Sequence, residues 1–562
     1  MKLFFFFFFF FFFFFFFFFF FFSIYFYENS LIVLFEWVFF DLNGFIFSFL
    51  VLFDWVSLIF MSFVFLISGC VLFYSIGYMD GEKNFIRFFY FVFMFILSMF
   101  LFILIPDLIC LLLGWDGLGL VSYCLVIYYQ NSLSMVSGLL TVLINRFGDV
   151  FLILSIGVFF NFGCWHIFLY NDFFDNDLNL FIYLMILASF TSSAQFPFSF
   201  WLPCAMAAPT PVSSLVHSST LVTSGVFLLI RFNYYLNYFN TYILMYISLL
   251  TMFLSSLNAF MESDLSKIIA FSTLSQLGFM FFILSLGCLT LCFVHLLIHA
   301  IFKSLLFLCS GYFIHCFLGN QDIRFMGGLL NQCPYVSTCF FVSILCLCGF
   351  PFFSGFYSKD FVLELFYLVE SSNMIFFFFF LSICFTFFYS IRLIYYLFYC
   401  DVFFFPLLSF KYSFYMNFSM VFLYFFSLIL GSLMYWLFID FVFFVDYIFS
   451  MFPLFLMIFS LFFCFNLFSG VIFYFFGYFS FFFGSMFYLN YFSSKFFLNR
   501  FFSFSMVCMN LVDHGWLEYF LTGGLLGVLN WLSKIFISFF LNSFYLYMIS
   551  FFIFMFFFFF VI

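Results

Sequence analysis

The stretch HLLIHAIFKSLLF, residues 295–307, carries His295, His299 and Lys303 in an otherwise apolar run. At i, i+4 and i+8 these positions drift by only about 40° per step on a helix, so all three share one face over roughly 12 Å. Further ionisable residues interrupt other apolar runs: Asp116 in LLLGWDGLGLVSY, Arg146 and Asp149 in INRFGDVF, His217 in PVSSLVHSST, Lys267 in SDLSKIIAFSTLSQLG, and Lys359, Asp360 and Glu364 in GFYSKDFVLE. Arg146 and Asp149, three residues apart, can pair on one helix face; Asp360 and Glu364 share a face from which Lys359 points away. Histidine changes charge near neutral pH, and a desolvated lysine can do so too. Alternated with carboxylates through the middle of a membrane, with water between, such groups make a proton relay. Each also has a plainer reading: Asp116 as a helix cap, Arg146 with Asp149 as a structural ion pair, His217 as a hydrogen-bonded core residue. A metal centre needs a third or fourth convergent ligand, and the sequence offers none. Two histidines one turn apart on one helix cannot bracket a haem iron from opposite sides.

The surroundings of these residues are membrane-like. Of 562 residues, 68% are hydrophobic and 7% are charged, against roughly 25% charged in soluble domains. In a bilayer each span must satisfy its own backbone polar groups, and the long apolar runs predict an all-α polytopic membrane protein. The net charge of −9 is thinly spread and no basic run exists, so nothing points to nucleic acid. The 17 cysteines form no C-x-x-C pair and read as buried, reduced residues. Phenylalanine numbers 132, including an unbroken run from Phe4 to Phe22. No packing rule asks for that run; nucleotide bias in the encoding genome explains it, and its length fits a retained helix.

The apolar runs predict about fifteen spans, near 4–27, 48–76, 87–105, 107–129, 133–160, 178–198, 212–233, 240–261, 265–288, 291–315, 333–350, 353–370, 374–398, 412–438, 446–488 and 541–561, with 333–350 and 353–370 as two halves of one broken helix. Residues 28–44 are expected as the first extramembrane loop, and the acidic segment 171–179 must lie in water. Two stretches are broken by Pro and Gly, QFPFSFWLPCAMAAPTPVSS at 195–214 and GFPFFSGFYSKD at 349–360. Corresponding breaks in two halves of a membrane protein point to inverted repeats around a midplane ion site.

These stretches carry a resemblance. GWDGLGLVSY (114–123), NRFGDVF (145–151), WLPCAMAAPTPVSSLVHSST (201–220), SDLSKIIAFSTLSQLG (263–278), HLLIHAIFKSLLFLCSG (295–311), QDIRFMGGL (321–329) and GFPFFSGFYSKD (349–360) resemble, in order and spacing over residues 48–400, the antiporter-like proton-translocating subunits of mitochondrial NADH:ubiquinone oxidoreductase, respiratory complex I. The lysine in GFYSKD favours the chain 5 family over its subunit 4 sister. DHGWLE at 513–518 resembles the start of that family's C-terminal lateral helix. The resemblance implies an N-terminal helix and loop (1–47), a translocating core (48–400), further spans (401–512), a lateral helix region (513–540) and a final span (541–562). It implies a first half-channel with Asp116, continued by His217 and Lys267, a hydrated central axis at His295, His299 and Lys303, and a second half-channel at Lys359, Asp360 and Glu364.

Three departures from the family pattern stand out. Asp116 replaces a glutamate. Ser192, in SSAQ at 192–195, stands where the family has a lysine; a hydroxyl can relay a proton but holds no charge. GWDG lies about thirty residues nearer the N-terminus than usual, so one helix is expected to be missing. The implied partners are other complex I membrane-arm subunits, above all the subunit 4-like neighbour, with supernumerary subunits and lipids. FMN, iron–sulfur clusters and ubiquinone would belong to those partner subunits, since no G-x-G-x-x-G after a strand and no cysteine cluster occurs here. The implied location is the mitochondrial inner membrane, for an organelle-encoded product. A cation/proton antiporter subunit of the same fold and a structural arm subunit with impaired pumping are the alternatives; a haem- or copper-containing oxidase subunit would need ligands that the sequence lacks.

Overall fold

The computed structural model describes residues 2–42, 45–162, 165–166, 176–236, 241–368, 372–401, 413–439, 445–468, 482–492, 498–541 and 544–561. Twelve helices among them are long and apolar enough to cross a membrane, and shorter apolar helices accompany them. Parts of three expected elements, the acidic 171–179 segment, the 446–488 span and the 401–512 region, lie outside the described residues.

The first unit, Met1–Phe487, holds the ionisable series. Helix α1 (Lys2–Glu28) is nearly uniform in sequence, so composition alone marks no buried face. Packing selects one: Phe5, Phe9, Phe12 and Phe16 are buried while Phe7, Phe10, Phe14 and Phe18 are exposed. The buried set recurs every three to four residues, as one helix face requires. It lies on α2 (Trp55–Tyr78), where a Cβ at Gly69 would stand 3.3 Å from that of Phe12. Between these helices the expected loop is instead an antiparallel hairpin, β1 (Val33–Leu42) and β2 (Phe45–Phe53), with a bulge between Val38 and Phe40. The span foreseen from 48 therefore starts at Trp55. Residues 45–53 are almost all apolar, which hid a period of two: Ser48, Leu50 and Leu52 are buried and their neighbours less so.

Next come α3 (Phe85–Leu104), α4 (Leu108–Val126), α5 (Ser132–Phe159) and α6 (Asn176–Ser192). Gly114 and Gly117 of GWDG let α4 approach α3 closely; a Cβ on them would stand 2.5 Å from the Phe102 amide nitrogen and 2.8 Å from Ser98 Cβ. The first broken stretch follows as short turns at Trp201–Cys204, Ala205–Ala207 and Thr210–Val212 and a wide π-helical segment, Ser213–Thr220, leading into α7 (Leu221–Arg231). Then come α8 (Tyr242–Met261), α9 (Leu265–Ser285) and the 28-residue α10 (Leu289–Cys316). The second break divides α11 (Pro334–Cys348) from α12 (Ser354–Leu368), with Gly349 at φ 78° closing α11. This left-handed position suits glycine, which lacks the Cβ clash. Helices α13 (Asn373–Ile394), α14 (Phe414–Phe438) and α15 (Tyr447–Phe468) follow.

The second unit, Tyr488–Ile562, is described by itself. Helix α16 (Leu498–Cys508) runs through a π-helical stretch, Met509–Gly524, into α17 (Leu525–Leu541), and α18 (Phe544–Val561) follows. The boundary expected at 513 falls inside this continuous helix.

Candidate functional site

Three clusters gather the ionisable residues. In the first, α5 places Arg146 between two carboxylates. Its Nη1 stands 2.8 Å from Asp149 Oδ2 and 3.4 Å from Asp116 Oδ1 on α4. The expected Arg146–Asp149 pair is thus present, and Asp116 joins it. Trp115 Nε1 donates to Asp149 Oδ1 at 2.9 Å, a partner that sequence reasoning missed. Arg146 and Asp116 keep 41% and 42% of their side chains exposed, whereas Asp149 is nearly buried, so the cluster runs from the protein surface inward. Ser192, the last residue of α6, is buried and donates to the Ser189 carbonyl at 3.2 Å. Its oxygen lies over Gly225 of α7, where an added Cβ would come within 2.5 Å. It bonds to its own helix and not to the Arg146 cluster.

The central cluster lies on α10. His295, His299 and Lys303 are all buried on one face, as their spacing predicts. The imidazole centroids of His295 and His299 are 6.4 Å apart. His295 Nδ1 lies 2.9 Å from Ser358 Oγ on α12, and Lys303 Nζ donates to Ser272 Oγ on α9 at 2.5 Å. Neither ring nitrogen of His299 or of His217 has a partner among the described residues. His217 sits in the π-helical segment with its ring 6.1 Å from that of Trp201. Buried imidazoles without partners are strongly disfavoured in an apolar interior unless water supplies the missing bonds.

In the third cluster the break before α12 presents carbonyls to Lys359. Its Nζ lies 3.4 Å from Leu347 O, 3.5 Å from Cys348 O and 3.4 Å from Thr386 Oγ1, and 5.3 Å from the Phe387 ring centre. Asp360 and Glu364 are half-buried on the other side of the same helix. Ser358, next to Lys359, links this cluster to His295. Lys267 takes a different place from the interior one expected: it sits in the first turn of α9, 40% exposed and 2.6 Å from Asp264 Oδ2. Asp264 precedes the helix by one residue, which brings the pair together at i, i+3.

Other groups hold this frame. Arg231, ending α7, makes two bonds to Asp54, which caps α2. Buried Arg392 of α13 donates to the carbonyls of Phe260 and Glu262 at the end of α8, where a cation complements the helix dipole. Burial raises the carboxyl pKa of Glu262 in the loop after α8. Among the described residues no three His, Cys, Asp or Glu side chains converge as metal ligands.

Three family models match the chain: NADH-ubiquinone oxidoreductase (complex I) chain 5 N-terminus over residues 37–89, the transmembrane region of NADH:quinone oxidoreductase/Mrp antiporter over 106–386, and NADH dehydrogenase subunit 5 C-terminus over 389–562. NADH-ubiquinone oxidoreductase chain 5 of Aedes aegypti is 45% identical over 469 residues, 81% of either chain. The chain belongs to the NADH-ubiquinone oxidoreductase chain 5 family. The same-named protein of Locusta migratoria is 51% identical over 378 residues, 66% of either chain. That of Anopheles gambiae is 52% identical over 59% of this chain and 58% of its own. Among solved structures, a chain of the Mrp complex from Dietzia sp. DQ12-45-1b superposes with a TM-score of 0.67 at 21% identity, over 78% of this chain and 51% of that one. At that identity the likeness shows the fold: an all-α polytopic membrane protein of antiporter-like build. As a chain 5 family member it is a proton-translocating subunit of the membrane arm.

Proposed function

We propose that this chain moves protons along the series Asp116, Arg146, Asp149, His217, Lys267, His295, His299, Lys303, Lys359, Asp360 and Glu364 in the inner mitochondrial membrane, as an organelle-encoded subunit. One observation carries the reading: α10 buries two imidazoles and a lysine in a bilayer-spanning helix, with both nitrogens of His299 unpartnered among the described residues. Such a string is tolerated where water joins its members and function needs their charge. Lys267 stands at the solvated end of this series, and Lys359 lies beyond Ser358 at the other side of His295.

Ser192 leaves the first half-channel without the family's lysine. Arg146, which contacts both Asp116 and Asp149, is the cation that remains there. Electron transfer from NADH to ubiquinone belongs to partner subunits carrying FMN and iron–sulfur clusters, and this chain contributes no redox centre. Its neighbours are the subunit 4-like chain, supernumerary subunits and lipids.

The test is the number of protons moved per NADH oxidised by the intact complex in sealed vesicles. Changing Lys303 to alanine is expected to lower that ratio. A parent-like ratio would refute the relay and favour a structural arm subunit.

A further inference from the structure

The proton series needs an opening to water, and the buried end of His217 has none described so far. Helix α2 gives the bearings. At its start Trp55 stacks edge-on with Phe293 of α10 at 5.7 Å, and Asp54 holds Arg231. At its end the Tyr78 ring lies 5.8 Å from His315 of α10. Thus α2 and α10 run parallel, and the segment from Thr210 to Arg231 runs opposite to both.

Where α2 and α10 end, Thr210 meets Tyr74 and Tyr78, both of whose phenols face its hydroxyl. Gly311 of α10 makes room for this meeting: a Cβ there would stand 2.5 Å from Thr210 Oγ1 and 2.9 Å from Tyr74 Oη. Neither Thr210 Oγ1 nor Tyr74 Oη completes a well-aligned bond among the described residues, though both are buried. Outside them, His315 and Glu82 are exposed.

Depth then follows from the helix rise. His217 is seven residues past Thr210, and Lys303 is eight before Gly311 on the antiparallel α10. At about 1.5 Å per residue both lie roughly 10–12 Å inside the Thr210 level. The hydroxyls of Ser213 and Ser214 lie along the way, donating to the Thr210 and Pro211 carbonyls at 2.8 Å each.

We propose that Tyr78, Thr210 and Tyr74, seated on Gly311, form a hydroxyl gateway through which protons pass between the water at His315 and the His217–Lys303 level. Each hydroxyl, with water between, accepts a proton on a lone pair as its own O–H proton leaves on the other side. The hydroxyls end unchanged apart from rotation, and no oxidant or reductant takes part. The gateway deepens the translocation reading above and rests on it.

The experiment compares Tyr74→Phe, Thr210→Val, Thr210→Ser and Lys303→Ala in the intact complex, each checked for assembly on native gels. Protons moved per NADH are measured in sealed vesicles made in H2O and in D2O. Tyr74→Phe and Thr210→Val are expected to lower the ratio with a changed solvent isotope effect, while Thr210→Ser restores the parent's values. Parent-like ratios in both Tyr74→Phe and Thr210→Val, beside a lowered ratio in Lys303→Ala, overturn the gateway alone. A parent-like ratio in Lys303→Ala overturns the relay beneath it. Should Thr210→Val fail to assemble, Tyr74→Phe, which removes one oxygen, decides.

Discussion

Changing Asp54 separates two tasks held by one carboxylate. Asp54 Oδ1 accepts from the Ser57 amide at 2.9 Å while Ser57 Oγ accepts from the Asp54 amide at 3.0 Å, a reciprocal cap on α2. The same carboxylate meets Arg231 Nη1 at 2.5 Å and Nη2 at 3.0 Å, which ties the end of α7 to the start of α2. Both side chains are largely buried. Breaking a buried pair from one side costs about 3–5 kcal/mol, since the remaining charge is stranded. Losing an N-cap costs about 1 kcal/mol. Asp54→Asn keeps a capping oxygen and should lose only the first; Asp54→Ala should lose both, about 4–6 kcal/mol. Adding Arg231→Leu to Asp54→Asn removes the stranded cation and should recover part of the loss. Burial works to raise the Asp54 pKa, but the Arg231 charge and the bonds from Arg231 and Ser57 outweigh it and hold the value below the usual one. The pair therefore contributes fully above the unfolded carboxyl pKa of about 3.9. That contribution fades as pH falls through the lower folded value. The assay is the temperature at which the detergent-solubilised complex sheds this chain, followed on native gels from pH 7 to pH 3. Equal midpoints for the parent and Asp54→Asn, with parallel pH curves, would refute the reasoning.

Two further outcomes are expected. Gly69→Leu should push α1 away from α2, because even a Cβ there meets Phe12 at 3.3 Å; overpacking of this kind costs about 1–3 kcal/mol and should show as earlier proteolysis of the N-terminal helix. Arg392→Leu should leave the part-buried Phe260 and Glu262 carbonyls without the guanidinium that serves them, at about 1 kcal/mol for each lost bond, read as a lower unfolding midpoint.

Much of the fold was legible because a bilayer imposes one solution on long apolar runs, and both Pro/Gly breaks lie where the sequence put them. The site was legible in part for the same reason: a charge in such a run announces itself. What stayed hidden were the neutral partners. Ser272 and Ser358 hold Lys303 and His295, yet most serines in these helices simply donate to a carbonyl three residues back, as Ser62 and Ser75 do. One serine type serves both uses, so sequence cannot sort them. Trp115 was equally silent, since an indole in an apolar helix reads as packing until its N–H is seen to meet Asp149. Lys267 was grouped with the interior charges although the expected span, like α9, begins at 265, so its place in the first turn beside Asp264 was already legible.

The phenylalanine run of α1 bears on heredity as much as on packing. A tract of one repeated residue is prone to gain or lose a unit when its template slips. In an ordinary helix one inserted residue turns everything before it by about 100° and carries the wrong side chains onto the contact face. Here the face that buries Phe5, Phe9, Phe12 and Phe16 would receive phenylalanine again after such a slip. The helix is thus its own spare part: length variants of the tract present α2 with the same surface, and drift in tract length is invisible to the contacts that hold it.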